Sequence, residues 1–169
     1  MNWDALGASA EMLGVVGVIA SLVYLGRQMH ESSKATQAAT VDQITGRFIG
    51  WMQFYATSPL HRKFFFEGLD GLKAASEDDV MDFYASIQTL YKIIEEIRYQ
   101  RSQGLIDDEV WLGWNNWFAN MKSYDVVQYF FDMKKSNMSP DFQEYWENLT
   151  PKPDSSLVGI VRSLSNSNN

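Results

Sequence analysis

The chain has 169 residues, a formal net charge of −7 and no cysteine. That is enough for one domain with its own core, and it leaves nothing for disulfides, zinc–thiolate sites, iron–sulfur clusters or a cysteine nucleophile. The fourteen Lys and Arg residues are spread thinly, with no run of three, which excludes the clustered positive charge that nucleic acid demands.

Hydrophobic residues make up 46% of the chain and mean hydropathy is slightly negative, so any membrane segment must be local. The candidate comes first. From Met12 to Gly26 there is no charge, and from Ala5 to Gly26 there is only Glu11. At about 1.5 Å per residue that longer stretch spans about 33 Å, against a hydrocarbon core of about 30 Å. Glu11 lies off the centre of the span, where an acid costs less than the ~2.5–3.5 kcal/mol of the midplane, and the surrounding Leu, Ile, Val and Met residues offset it. A signal peptide needs a basic leader, but no Lys or Arg precedes Arg27. A soluble core helix needs one wet face, and residues 16–25 are apolar or small all round. The segment therefore reads as a membrane anchor over residues 1–30. Arg27, Lys34 and Arg47 follow it while Asp4 and Glu11 precede it. The positive-inside rule then expects a single pass with the N-terminus outside and the C-terminal domain in the cytoplasm.

The same helix carries a stripe of small residues. Gly7, Ala10, Gly14, Gly17 and Ser21 recur at steps of 3, 4, 3 and 4, with Glu11 on its border. Small side chains in phase let two membrane helices approach closely, and Glu11 would seek a donor across the interface.

Beyond Gly26 there is no proline until Pro59, and Val41, Ile44, Phe48, Trp51, Met52 and Tyr55 keep helical phase. The pattern predicts a helix continuing to about Thr57, with a break near Ser32 as an option. Ser58-Pro59 starts a short helix carrying "LHRKFFFEGL", punctuated by Gly68 and Gly71. Ser76 and Asp79 suit a capped start for an amphipathic helix over about 77–102, on which Val80, Phe83, Tyr84, Ile87, Leu90, Tyr91, Ile94 and Ile97 share a face. Gly104 ends it. Asp107 caps the next helix, with Trp111, Trp114, Trp117, Phe118 and Met121. Another is expected over about 125–135, and Ser139-Pro140 opens a last one with Phe142, Tyr145, Trp146 and Leu149. Residues 31–150 thus read as a helical bundle. Residues 151–169, rich in Pro, Ser and Asn, read as a mostly disordered tail with a brief helix around "LVGIVRSL". The fold expectation is all-α: a single N-terminal transmembrane helix continuing into a small cytoplasmic bundle.

Chemistry is sparse. His30 and His61 are the only histidines, neither sits in a metal-binding spacing, and each reads as an ordinary solvated side chain. No phosphate-binding glycine loop and no G-x-S-x-G elbow occurs. No catalytic residue, metal or cofactor is expected. In "IIEEIRYQR", Glu95, Arg98 and Tyr99 lie three or four residues apart. They read either as an exposed salt-bridged face or as the lining of a polar pocket. Three consecutive phenylalanines, Phe64, Phe65 and Phe66, cannot all point inward, and Trp111, Trp114, Trp117 and Phe118 drift around a broad face. These aromatics pack in the core or meet a partner or membrane surface.

Three stretches resemble a widespread set of bacterial conserved hypothetical proteins. One is the opening pattern Trp3, Gly7, Glu11, Gly14, Ser21, Tyr24 and Gln28; another is "YQRSQGLIDDEVWLGW", with Gly104, Leu105, Asp107, Glu109, Trp111 and Trp114; the third is "MSPDFQEYWE", with Ser139, Pro140 and Phe142. Where that resemblance leads one to expect a basic, asparagine-containing stretch after Gln28, this chain has "MHESSKAT". The resemblance implies one N-terminal membrane helix followed by a helical domain, and no activity.

The leading expectation is a non-enzymatic, membrane-anchored accessory or scaffold subunit, whose partners are the lipid bilayer and either itself or a larger membrane protein complex. The alternative is a small-ligand-binding or enzymatic bundle with a polar pocket at Glu95, Arg98 and Tyr99. A third reading is a soluble bundle with residues 12–25 as its central helix.

Overall fold

The computed structural model describes residues 3–152, 160–161 and 163–164, with side chains from residue 12 onward. Six α-helices and one 3-10 turn are present, and no strand occurs among the described residues. The all-α expectation holds. Residues 160, 161, 163 and 164, within the expected brief tail helix, are helical; the rest of the tail beyond Lys152 lies outside the described residues.

Helix α1 runs Trp3–Thr57 without a break, so the option of an interruption near Ser32 is not taken. The chain divides into two units, Met1–Ala39 and Thr40–Asn169. The division falls after residue 30 because residues 31–36 are still exposed helix, and burial begins only at Ile44.

In the first unit every side chain from Met12 to Thr36 is exposed. Val16 and Ile19 stand 59% and 56% exposed. The Met12–Thr57 part of α1 is long and apolar enough to cross a membrane, and none of its most apolar window is buried.

The second unit holds the end of α1, then α2 (Pro59–Lys73), α3 (Glu77–Ser102), α4 (Asp108–Lys122), α5 (Asp125–Lys134), a 3-10 turn (Lys135–Asn137) and α6 (Pro140–Asn148). The starts follow side-chain chemistry. Ser58, Ser76, Asp107 and Ser139 each stand in extended conformation and accept the N–H three residues on, at 3.3, 3.2, 2.8 and 3.4 Å. Each satisfies one of the N–H groups that a helix start leaves without a partner. Helix α2 kinks at Gly68, where φ is +64° and ψ −146°, a conformation open in practice to glycine alone.

Helix α3 is the axis of the core. Phe83, Ile87, Leu90, Tyr91, Ile94 and Ile97 are all fully buried. Their spacing makes an apolar stripe along the helix, and Ser86 and Ile93 widen it. Tyr91 donates its hydroxyl to the Val127 carbonyl of α5, and burial pushes its pKa far up, so the phenol stays protonated. Trp51 of α1 donates Nε1–H to the Ser86 carbonyl at 2.9 Å. Helix α6, only nine residues long, is too short to stand alone in water and docks by inserting Phe142 and Trp146, both buried.

Candidate functional site: an apolar helix, a polar cleft and an apolar groove

On α1, a Cβ added at Gly14 or Gly17 would meet nothing within 4 Å. Among the described residues nothing makes use of the small size of these glycines. Ser21 donates its hydroxyl to the Gly17 carbonyl at 2.8 Å, which keeps its polar group on its own helix and its outline small. The side chains of Gly7, Ala10 and Glu11, the other half of the expected stripe, lie outside the described residues.

The expected aromatic contact surface is largely interior. Phe64, Phe65 and Phe118 are 0%, 5% and 0% exposed, so they cannot reach a partner or a membrane; they fill the bundle's own core. Phe64 and Phe65 each meet the Phe83 ring edge to face, at 5.0 and 5.6 Å, the geometry aromatic quadrupoles favour. Phe66 alone of the three is exposed, because two adjacent helical positions can share a broad buried face and a third cannot. Trp111, Trp114 and Trp117 are half-buried and pack against the core. Phe48 of α1 takes Trp114 and Trp117 edge to face at 4.9 and 4.7 Å. Leu112, between them, is exposed.

Glu95, Arg98 and Tyr99 do line an open cleft, of about 460 Å³, together with Lys92, Ser139 and Asp141. Their side chains are engaged in holding helices. Glu95 accepts from Lys92 Nζ at 2.8 Å and from the Ser139 backbone N–H at 2.8 Å, fixing the start of α6. Burial alone would raise its pKa, but the hydrogen bonds from Lys92 and Ser139 outweigh it and hold the carboxyl below its ordinary range. An ionised, doubly hydrogen-bonded carboxylate is neither a ready proton donor nor a strong base. The Arg98 guanidinium lies 4.1 Å from the centre of the Tyr145 ring, a stacking contact. Glu96 pairs with Arg47 of α1, and Arg101 with Asp108 and the Ile106 carbonyl. Tyr99 is exposed.

His30 is exposed, as expected of a solvated side chain, whereas His61 is 2% exposed and lies in the core. Phe54 and Phe83 meet its ring edge to face at 4.9 and 5.4 Å. Among the described residues no group of three His, Asp or Glu side chains converges in a way that could hold a metal ion.

Sequence reasoning missed an apolar groove of about 450 Å³ between α2, α3 and α5. Leu69, Leu72, Val80 and Phe130 form its floor; Met81, Tyr129 and Met133 stand at its rim, 61%, 43% and 47% exposed. Flexible thioethers beside aromatic rings make an adaptable contact surface. The signal was faint. Met81 and Met133 fall just off the apolar stripes of their helices, and only the packing of three helices makes them neighbours.

No protein-family model matches the chain, and neither does any curated protein or solved structure.

Proposed function

We propose that the chain is a non-catalytic accessory subunit of a bacterial inner membrane. Its N-terminal helix spans the bilayer with the N-terminus outside, and its helical bundle lies in the cytoplasm. It acts by contact, with itself or with a larger membrane protein complex.

One observation carries this reading. The bundle buries most of its large apolar side chains, while the run from Met12 to Leu25 leaves nine Leu, Ile, Val and Met side chains more than half exposed. At about 25 cal/mol per Å² of apolar surface, such a helix demands a cover, and hydrocarbon supplies it along its whole circumference. Gly14 and Gly17, unused within the chain, suit close approach by a second helix. Contacts outside the membrane then fall on Phe66 and on the Met81–Tyr129–Met133 groove, because the other expected aromatics are committed to the core. The polar cleft does not favour an enzymatic reading, since Glu95 and Arg98 already have structural partners.

The test is extraction of membranes at alkaline pH, followed by sizing in mild detergent. The protein is expected to stay with the lipid, and replacing both Gly14 and Gly17 by leucine is expected to reduce the size of the assembly. Release into the aqueous fraction would overturn the membrane placement; an unchanged size would overturn the helix–helix contact.

A further inference from the structure

We propose that His61 is an acid-sensitive latch, closing the corner between α1 and α2 while its ring is neutral and releasing that corner when the ring gains a proton.

His61 is the third residue of α2, just past the Ser58-Pro59 turn. It is buried, and its ring meets Phe54, in the last turn of α1, and Phe83, in the second turn of α3. Three helices therefore meet on one imidazole.

The ring's nitrogens give the direction. Nδ1 is buried without a hydrogen-bond partner. A neutral imidazole can carry its hydrogen on the other nitrogen and leave Nδ1 as a bare lone pair. An imidazolium must place an N–H at Nδ1 as well, and there it finds no acceptor. A buried charge with an unsatisfied donor is among the most unfavourable groups a core can hold. The first turn of a helix adds to this, because its free N–H groups make that end positive.

The charges around the ring are few. On α3, Asp82 favours the protonated form. On α2 the neighbouring Arg62 turns its guanidinium to the Ala56 carbonyl. The last turns of α1, residues 48–57, carry no charge. Burial outweighs Asp82, so the ring's pKa lies below the ordinary 6.5. A base whose proton affinity falls on folding is protonated first in the open state. The closed corner is fully stable above about pH 6.5 and loses that stability as the pH falls from there through the lowered value. Turning the charged ring out to water would carry the first turn of α2 with it, and would uncover Phe83, which is fully buried.

The chain has two histidines, so a midpoint in the histidine range has two possible sources. The full-length protein in mild detergent is followed by hydrogen–deuterium exchange between pH 7.5 and 5, corrected for intrinsic exchange. Protection over residues 54–66 is expected to fall at least tenfold, while that of α6 holds. His61→Phe is expected to abolish the fall, and His30→Phe to leave it intact. A fall that persists in His61→Phe, no fall in the parent protein, or simultaneous loss in α6 would each overturn the latch. Should His61→Phe fail to fold, the imidazole signals of the parent protein decide the matter. A His61 midpoint below the ordinary 6.5 and coincident with the opening supports the latch, and one at or above 6.5 overturns it.

Discussion

Asp125, in the first turn of α5, accepts the backbone N–H of Leu69 at 3.2 Å, directly beside the kink at Gly68. The kink and the carboxylate occupy the same space. A Cβ at residue 68 would come within 2.6 Å of Asp125 Oδ2 and 2.7 Å of Oδ1.

Gly68→Ala therefore strains the backbone and expels the carboxylate. The expected cost is about 2–4 kcal/mol, summing a glycine-only conformation with a charged hydrogen bond. Gly104 is the control. Its φ is +72°, but a Cβ there meets nothing within 4 Å. Gly104→Ala is expected to cost only about 1 kcal/mol. Denaturant unfolding of the full chain, compared in one detergent, measures both.

Helix α6 is pinned at its two ends by residues of α3 and α4. Lys122 donates to the Glu147 and Leu149 carbonyls at 3.0 and 2.9 Å, and to that of Trp146, covering the acceptors that a helix C-terminus leaves open. Lys122→Met keeps most of the stem and removes these bonds, for an expected loss of about 2 kcal/mol. Unfolding monitored by the near-ultraviolet signal of the chain's six tryptophans reads the change.

The other pin is sensitive to acid in a range separate from the latch. The Glu95 carboxyl is held below its ordinary range by Lys92 and Ser139. Its contribution is complete above the unfolded value, about 4.3, and is lost as the pH falls from there through the folded value. In Glu95→Gln that acid-dependent component is expected to vanish. The measurement is unfolding free energy against pH from 7 to 3; the same slope below pH 4.3 in both proteins would rule the assignment out.

Trp51 joins α1 to α3 through its bond to the Ser86 carbonyl, and it stacks on Tyr55 at 5.8 Å with the planes 8° apart. Trp51→Phe removes the donor and leaves a gap, for an expected loss of about 2 kcal/mol. Trp111→Phe, at a half-buried site facing Tyr145, is expected to lose less than half as much.

What could be read from the sequence was local. The bounds of α3 follow from the Ser76 cap, the apolar stripe and Gly104, all within one stretch of chain, and the structure has them at Glu77 and Ser102. The exposure of one phenylalanine among Phe64, Phe65 and Phe66 followed from helical geometry alone. Which of them lie inside depends on Phe83, nineteen residues beyond Phe64. His61 looked polar among "LHRKFFF" because the rings that enclose it belong to other helices. The partner that occupies Glu95, the Ser139 N–H, is 44 residues away, so spacing along α3 could not tell an open acid from a committed one. The groove needs three helices, and no window of sequence contains it.

Trp146 closes against Tyr91 and Phe131 at 5.6 and 5.7 Å, and it is supplied by the last helix of the bundle. On a ribosome working at about 5–20 residues per second, the 47 residues between Ser102 and Leu149 take roughly 2–9 s to emerge. For that interval α3 is complete, but the patch at Tyr91 that Trp146 covers has no lid. A nascent chain is therefore expected to offer that patch to chaperones for seconds before its own final helix can displace them.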